Sequence, residues 1–186
     1  MSSPSPETLY KQLVHVCHFL ENNGIAYMVV GGIAVSVWTA PRATVDLDFV
    51  IGLDEERLPS FIETATRAGL VIFNPKLIQF KKMKLLRMFL QGREAQLLML
   101  DFILTDDDYK RESLSRAVAL PLEGEEIKVA SPEDVILLKL LSARSQDRVD
   151  IENIIRMRKD SLDRNYLQRW AENLSVSESL NQLWNP

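Results

Sequence analysis

The chain has 186 residues, of which 46% are hydrophobic and 26% are charged, and its formal net charge is -4. This composition is typical of a globular protein that buries a core, and the acidic balance argues against a protein that binds nucleic acid through charge alone. The single cysteine, Cys17, excludes an intrachain disulfide and a cysteine-based zinc site.

The first part of the chain alternates helical and strand patterns. An amphipathic helix ends at Asn22-Asn23-Gly24, and an apolar strand then breaks at Gly31-Gly32, where a second helix begins. The elements predicted up to residue 73 are a helix over 7–22, a strand over 25–30, a helix from 31 to about 39, a strand over 43–51, a helix over 54–68 and a short strand over 70–73.

Strands and then helices make up the remainder. We predict strands over 78–90 and 95–104 around a turn at Gln91-Gly92-Arg93-Glu94, a helix over 109–115, a hairpin of 118–122 and 125–129 around Glu123-Gly124, and helices over about 132–143, 147–158 and 163–173. This order predicts an α+β fold, in which helices flank a mixed sheet and a helical tail follows. We assign residues 1–130 to the core and residues 131–186 to a C-terminal helical segment packed on it.

Targeting signals are absent from the sequence. The N-terminus has neither the basic region nor the apolar stretch of a secretory signal peptide, and no segment has the 18 or so apolar residues of a membrane span. We therefore expect a cytoplasmic protein with no membrane partner.

Asp46 and Asp48 are the first candidate functional residues. They are two positions apart in a predicted strand, so their side chains share one face. Two such carboxylates repel by about 3 kcal/mol when their charges are about 5 Å apart at an effective dielectric near 20, and a hard cation such as Mg²⁺ would remove this penalty. The alternative is an edge strand with two solubilising aspartates.

A third candidate, Asp101, is a lone acid among the apolar residues that share its face of the predicted strand over 95–104. A buried carboxylate without a partner is costly, so something must compensate it. If this strand lies next to that of Asp46 and Asp48, three carboxylates converge and can bind one or two Mg²⁺ ions. The alternative is a hydrogen-bonded structural aspartate at the end of a strand.

Gly31 and Gly32 offer a separate kind of site. Without Cβ atoms the backbone can approach a ligand closely, and amide groups at the start of the following helix favour phosphate. Ser36, one turn into that helix, either adds a hydroxyl to a phosphate or is an ordinary exposed or capping serine. A plain tight turn would also explain the two glycines.

In combination these motifs resemble the signature of the nucleotidyltransferase superfamily, which has the polymerase-beta-like fold. The likeness consists of Gly31-Gly32, thirteen intervening residues, Asp46-Leu47-Asp48 and a distal Asp101. More narrowly, the chain is similar to stand-alone bacterial and archaeal members, including the nucleotidyltransferase-type toxins of abortive-infection and toxin–antitoxin systems. The segments that carry this narrower likeness are Val30-Gly31-Gly32-Ile33-Ala34, Arg42-Ala43-Thr44-Val45-Asp46-Leu47-Asp48 and Ser131-Pro132-Glu133-Asp134-Val135-Ile136-Leu137-Leu138-Lys139-Leu140.

The resemblance implies an enzyme that moves a nucleoside monophosphate from a nucleoside triphosphate (NTP) to a hydroxyl acceptor, with Mg²⁺ as cofactor. By that resemblance Asp46 and Asp48 bind the metal and the triphosphate, and Asp101 completes the metal site near the attacking hydroxyl. The amides of Gly31 and Gly32 hold the phosphates. The acceptor is an RNA end, a protein side chain or a small molecule, and a small antitoxin-like protein is an expected partner.

Three further positions are assigned by the same resemblance. Arg42 and Thr44 match an Arg-x-Thr that precedes the acidic pair in these relatives, and we give them a supporting role. Lys139 either reaches the triphosphate or extends to solvent. Asp147 and Asp150 match a stretch beside the nucleotide in the relatives, but a charge cluster at a helix start explains them equally, and we leave them out of the catalytic set.

Two other functions fit the same residues. The first is a catalytically silent nucleotide-binding or regulatory module of a two-gene system, and the second is a metal-dependent phosphodiesterase or other hydrolase. The basic run Lys81-Lys82-Met83-Lys84, together with Arg87, either steers a nucleotide or RNA substrate or is a solvated strand surface.

Overall fold

Most helices and strands follow the hydrophobic patterns of the sequence. The computed structural model describes residues 6–41, 43–91, 97–122 and 124–184. The helices of this part of the chain are α1 (Pro6–Asn22), α2 (Gly31–Trp38), α3 (Leu58–Arg67), α4 (Asp108–Ser115), α5 (Pro132–Ser142), α6 (Ser145–Arg158), α7 (Arg164–Asn173) and α8 (Ser177–Trp184). The strands are β1 (Tyr27–Val29), β2 (Asp46–Ile51), β3 (Leu70–Val71), β4 (Ile78–Phe80), β5 (Met83–Gln91), β6 (Leu97–Leu104), β7 (Val118–Leu122) and β8 (Glu125–Val129).

The strands form one mixed sheet with the order β3-β5-β6-β2-β1-β8-β7, and β4 pairs with the outer part of this sheet through β5. The central strand β2 is antiparallel to β1 and parallel to β6, and β1 is parallel to β8. The other pairs are antiparallel. The predicted mixed sheet flanked by helices is therefore confirmed.

Apolar packing behind β2 fixes which of its faces carries the acids. Leu47 and Phe49 are fully buried, and the Phe49 ring stacks on Phe102 of β6 with 5.5 Å between centroids. Phe61 of α3 meets the same Phe102 ring edge-on at 5.4 Å. A shift of one residue in register would move these rings to the opposite face, so the core holds Asp46 and its neighbours in place.

The predicted single strand over 78–90 is wrong. The structure divides it into β4 and β5, which pair as an antiparallel hairpin with Phe80 opposite Met83. Lys81 forms the turn with a φ of 52°, a left-handed conformation that a lysine seldom adopts. Because the turn lies inside a basic run without glycine, asparagine or proline, its sequence carried no turn signal.

Smaller differences concern element ends. The strand predicted over 43–51 begins at Asp46, and the helix predicted over 54–68 begins with a 3₁₀ turn at Glu55–Arg57. Helix α8 was not predicted as a separate element. The turn residues Gly92-Arg93-Glu94 and the hairpin residue Glu123 lie outside the described residues. None of the described helices is long and apolar enough to cross a membrane.

The start of α5 forms as predicted and ties the C-terminal helices together. The Ser131 hydroxyl accepts a hydrogen bond from the Asp134 amide at 3.1 Å, and Pro132 occupies the first helical position. The Asp134 carboxylate is fully buried and accepts hydrogen bonds from Ser131 Oγ and from Tyr166 Oη of α7, each at 2.7 Å. These bonds fix α7 against α5.

Candidate active site

The two strands that carry the predicted acids are neighbours. Strands β2 and β6 are parallel, with Asp48 opposite Asp101 and Asp46 opposite Met99. Side chains at directly paired positions of adjacent strands point to the same face. Asp46, Asp48 and Asp101 therefore share one face of the sheet, as the three-carboxylate arrangement requires.

Burial and mutual repulsion both raise pKa values in this group of acids. Burial, followed by the charges of Asp101 and Asp46, raises the pKa of the Asp48 carboxyl to about 6. Burial and the charge of Asp101 also raise the pKa of Asp46. The positive charge of Arg144 acts in the opposite direction on both but does not compensate. The positive charge near the acid pair on β2 therefore does not fully offset burial and repulsion.

Asp101 differs from the pair because it already has a partner. Arg87 of β5 lies opposite it, and the guanidinium donates from Nε to Oδ1 at 2.8 Å and from an Nη to Oδ2 at 2.7 Å. Sequence reasoning treated Arg87 only as part of a basic run and missed its pairing with Asp101. The signal was available: Arg87 and Asp101 are equally far from residue 94, so a hairpin centred there pairs them.

These contacts decide how well the acids fit a metal ion. Within the described ranges, no three histidine, cysteine, aspartate or glutamate side chains are already arranged around one cation position. The carboxylate oxygens of Asp46 and Asp48 are suitable ligands for a hard cation such as Mg²⁺. Both oxygens of Asp101 accept hydrogen bonds from Arg87, so this acid already has a positively charged partner and is less available to a metal ion than the pair.

Gly31 lies directly against the Asp48 carboxylate. Its φ is +61°, and a Cβ atom there would be 2.7 Å from Asp48 Cγ and even closer to Oδ2. The preceding Val30 amide donates to the Asp48 carbonyl oxygen at 2.9 Å, which locks the start of α2 onto β2. The position requires glycine both for its backbone conformation and for space. The first amides of α2, including that of Gly32, have no intrahelical acceptor and are available to an anion.

A cleft of about 310 Å³ opens beside the acid pair. One side is formed by the start of α2 and the segment that leads into β2, and the other side by α5 and the start of α6. Six of the predicted residues line it: Gly31, Gly32, Thr44, Asp46, Asp48 and Lys139. Asp101 is only 6% exposed and does not line it.

The predicted supporting residues differ in what the structure shows of them. Ser36 donates its hydroxyl hydrogen to the Gly32 carbonyl oxygen at 3.0 Å, within the first turns of α2, and is not among the lining residues. The expectation that it faces a phosphate is therefore not supported. Arg42 lies outside the described residues. The Thr44 hydroxyl donates a hydrogen bond to the Asp46 carbonyl oxygen at 3.5 Å.

Lys139 is held by two acids of α6. Its Nζ atom is 2.7 Å from Asp147 Oδ1 and 2.7 Å from Asp150 Oδ2, and the residue is buried. Its extension to solvent was therefore a wrong alternative, and part of its charge is neutralised within the protein. Asp147, which we left out of the predicted site, lines the cleft together with this lysine, and Asp150 supports the lysine from α6.

The Asp147 carboxylate is firmly anchored as an ion. Burial alone would raise its pKa, but hydrogen bonds from Lys139, the Ser142 hydroxyl and the Arg144 amide outweigh this effect and lower it. The residue thereby joins the end of α5 to the start of α6. This junction holds the wall of the cleft in one arrangement.

Arg144 brings an additional cation to the cleft. It follows Ala143, which has a left-handed φ of 45°, and its guanidinium lies 4.8 Å above the centre of the Phe80 ring. The side chain is exposed and has no carboxylate partner among the residues that the structure describes. Sequence reasoning missed this residue because its position depends on the helix end before it.

One protein family matches the sequence over most of its length. The family is described as nucleotidyl transferase AbiEii toxin of a type IV toxin–antitoxin system, and the match covers residues 20–183. No curated protein matches the chain significantly.

Several solved structures share the fold. An antigenic nucleotidyltransferase-like protein from Paracoccidioides brasiliensis is 18% identical with a TM-score of 0.59, over 98% of this chain and 94% of that protein. The lincosamide antibiotic adenylyltransferase LnuA, solved with lincomycin bound, is 18% identical with a TM-score of 0.51, over 79% and 96%. The antibiotic-resistance factor ANT(2'')-Ia is 12% identical with a TM-score of 0.58, over 95% and 98%. The fold of this chain is thus that of the nucleotidyltransferases.

Proposed function

The chain belongs to the family of nucleotidyl transferase AbiEii toxins, and from this membership and the cleft geometry we propose that it transfers a nucleoside monophosphate from an NTP to a hydroxyl acceptor with the help of Mg²⁺. The acceptor oxygen forms a bond to the α-phosphorus, the bond between the α- and β-phosphates breaks, and pyrophosphate and the hydroxyl proton are released. The observation that carries the proposal is the acid pair, Asp46 and Asp48, directly beside the free amides at the start of α2. Acids that hold a cation and amides that hold phosphate are the two requirements of a bound metal–triphosphate complex.

In this proposal each part of the cleft has one task. The amides of Gly31 and Gly32 donate hydrogen bonds to phosphate oxygens, and the exposed guanidinium of Arg144 attracts the triphosphate. Asp46 and Asp48 hold Mg²⁺, which when bound neutralises charge on the phosphates and lowers the pKa of the acceptor hydroxyl. Catalysis then comes from positioning and electrostatic stabilisation, without a covalent intermediate on the protein.

The acceptor and the partner protein belong to the same proposal. An RNA end, a protein side chain and a small molecule each carry a suitable hydroxyl, and a small antitoxin-like protein fits the family description. Incubation of cellular RNA and protein with each of the four NTPs, followed by mass spectrometry, identifies the acceptor through the added mass of one nucleotide.

Calorimetry distinguishes the enzyme from a catalytically silent regulatory module. With Mg²⁺ present, we expect at least one NTP to bind with micromolar affinity, and with EDTA we expect binding to weaken at least about tenfold because the acid pair then repels the triphosphate. Binding that does not depend on Mg²⁺, or no binding at all, would favour the silent module.

Stability should depend on pH through Asp48, whose pKa is about 6 in the folded chain and ordinarily 3.8. A carboxyl group whose pKa rises on folding stabilises the folded state below its ordinary pKa, and this contribution is lost as the pH rises through the folded value. In EDTA, the free energy of unfolding should therefore fall between pH 4 and pH 6. Urea denaturation at a series of pH values measures the fall.

The control for this pH dependence is Asp48→Asn, which cannot titrate at this position. Its free energy of unfolding should change less over the same range. Excess Mg²⁺ should reduce the fall in the native sequence, because the cation stabilises the ionised pair. Equal pH profiles for the two proteins would contradict the role assigned to Asp48.

A further inference from the structure

The third acid of the site, Asp101, forms an ion pair with Arg87. Each Asp101 oxygen accepts one guanidinium hydrogen bond, at 2.8 and 2.7 Å, in the fork arrangement that gives the strongest and most directional pairing. The Asp101 side chain is 8% exposed, whereas the Arg87 side chain is 38% exposed. The arginine can therefore leave without any rearrangement of the core.

Arg87 contacts this group of acids directly, through two hydrogen bonds to Asp101, and the other two cations near the cleft are engaged elsewhere. Lys139 is engaged by Asp147 and Asp150, each at 2.7 Å. Arg144 is stacked on a ring at the edge of the cleft and does not bring the pKa of Asp48 back to its ordinary value. Arg87 is thus the positive group that contacts Asp101 directly.

We propose that Arg87 acts as an internal counter-ion that blocks Asp101 in the ligand-free chain, and that its guanidinium must turn away before Asp101 binds a cation. This inference rests on the proposed function, because it assigns the order in which the acids of that site become available. The carboxylates of Asp46 and Asp48 are available to a cation first, and that of Asp101 becomes available only in a second step. Arg87 is then a positioning residue, which acts through Asp101.

Binding of Mn²⁺ to the full chain without nucleotide tests this order, since Mn²⁺ replaces Mg²⁺ at oxygen sites and is visible by electron paramagnetic resonance. In Arg87→Met both oxygens of Asp101 become free, and we expect Mn²⁺ to bind at least tenfold more tightly than in the native sequence. Arg87→Lys keeps the charge but not the fork, so we expect an affinity between the two. Equal Mn²⁺ affinity of all three proteins would overturn the proposal.

Lys84→Met is the matched control. Lys84 lies on the same strand, its side chain is equally exposed at 38%, and it pairs with Glu55 rather than with the site. Because it is three positions from Arg87, it lies on the opposite face of β5. The substitution removes the same charge from the protein but leaves the Arg87–Asp101 ion pair intact. Mn²⁺ affinity should therefore stay at the native value. Tighter binding in this variant would mean that net charge alone, and not release of Asp101, causes the effect.

Two further variants separate failure of this inference from failure of the proposed function. Asp48→Asn should weaken Mn²⁺ binding in the native background, and Asp101→Asn should cancel the gain of Arg87→Met. If Asp48→Asn has no effect, the proposed metal site itself is wrong. If it weakens binding but Arg87→Met does not strengthen it, only the blocking role of Arg87 is wrong.

Should Arg87→Met fold poorly, the melting temperature gives a second measurement. Addition of Mn²⁺ should raise the melting temperature of Arg87→Lys more than that of the native sequence, because the cation then pairs with the partly released Asp101. An equal rise in both proteins would contradict the proposal.

Discussion

The double substitution Asp46→Asn/Asp48→Asn is expected to reduce nucleotidyl transfer by at least about 10³-fold while the protein stays folded. Loss of a single group that stabilises charge in an active site commonly costs about 10²- to 10³-fold in rate, and here two charges are lost together. Asparagine has nearly the same size as aspartate, so the packing behind β2 is unaffected. Incorporation of a labelled nucleotide into the acceptor found by mass spectrometry measures the loss.

The folded state of this double variant should be at least as stable as the native one in EDTA. Burial, and then repulsion among Asp46, Asp48 and Asp101, raise the pKa of the first two, and the substitutions remove both penalties on their charged forms. Urea denaturation checks this. Asp54→Asn is a suitable control because it removes an exposed acid away from the cleft and should leave transfer unchanged. Undiminished incorporation by the double variant would end the proposed mechanism.

Gly31→Ala is expected to have the next largest effect, with a loss of transfer of about 100-fold or more and a lower stability. The added Cβ would lie 2.7 Å from Asp48 Cγ, so either the carboxylate or the start of α2 must shift. A displacement of about 1 Å at a reacting centre can cost about 10²-fold in rate. The left-handed backbone at this position adds about 1–2 kcal/mol against any residue with a Cβ. Transfer assays and urea denaturation measure the two losses separately.

Gly24→Ala separates the two causes. Gly24 has nearly the same φ, +64° against +61°, but a Cβ atom there would meet no atom within 4 Å. The control should therefore show the backbone cost in stability and little change in transfer. If Gly31→Ala behaves like Gly24→Ala in both measurements, the close approach to Asp48 has no functional meaning.

The fold was predictable from the sequence wherever a pattern extends over a whole element. The helix start at Ser131-Pro132 and the hairpin strands 118–122 and 125–129 have the predicted bounds because caps and alternation act within a few residues. The turn at Lys81 was not predictable, since pairing between Phe80 and Met83 forces a lysine into a conformation it does not favour. Tertiary pairing there overrides local preference.

The same distinction holds for the site. The placement of Asp46 and Asp48 on one face follows from strand alternation, which is a local property. The ion pair of Arg87 with Asp101 depends on the register of the β5–β6 hairpin. The ion pairs of Lys139 with α6 depend on the left-handed backbone of Ala143, which directs the chain from α5 into α6. The roles of these residues stay predictions, while their positions are now known.

Strand β2 has a consequence for how this protein can diverge. Leu47 and Phe49 face the apolar core, whereas Asp46 and Asp48 face the cleft. All six residues of the strand are at least partly buried. A substitution in this hexapeptide is therefore expected to disturb either the packing of the core or the proposed site. A duplicated copy that lost its activity would be expected to keep the apolar half of the hexapeptide and to change the acidic half first.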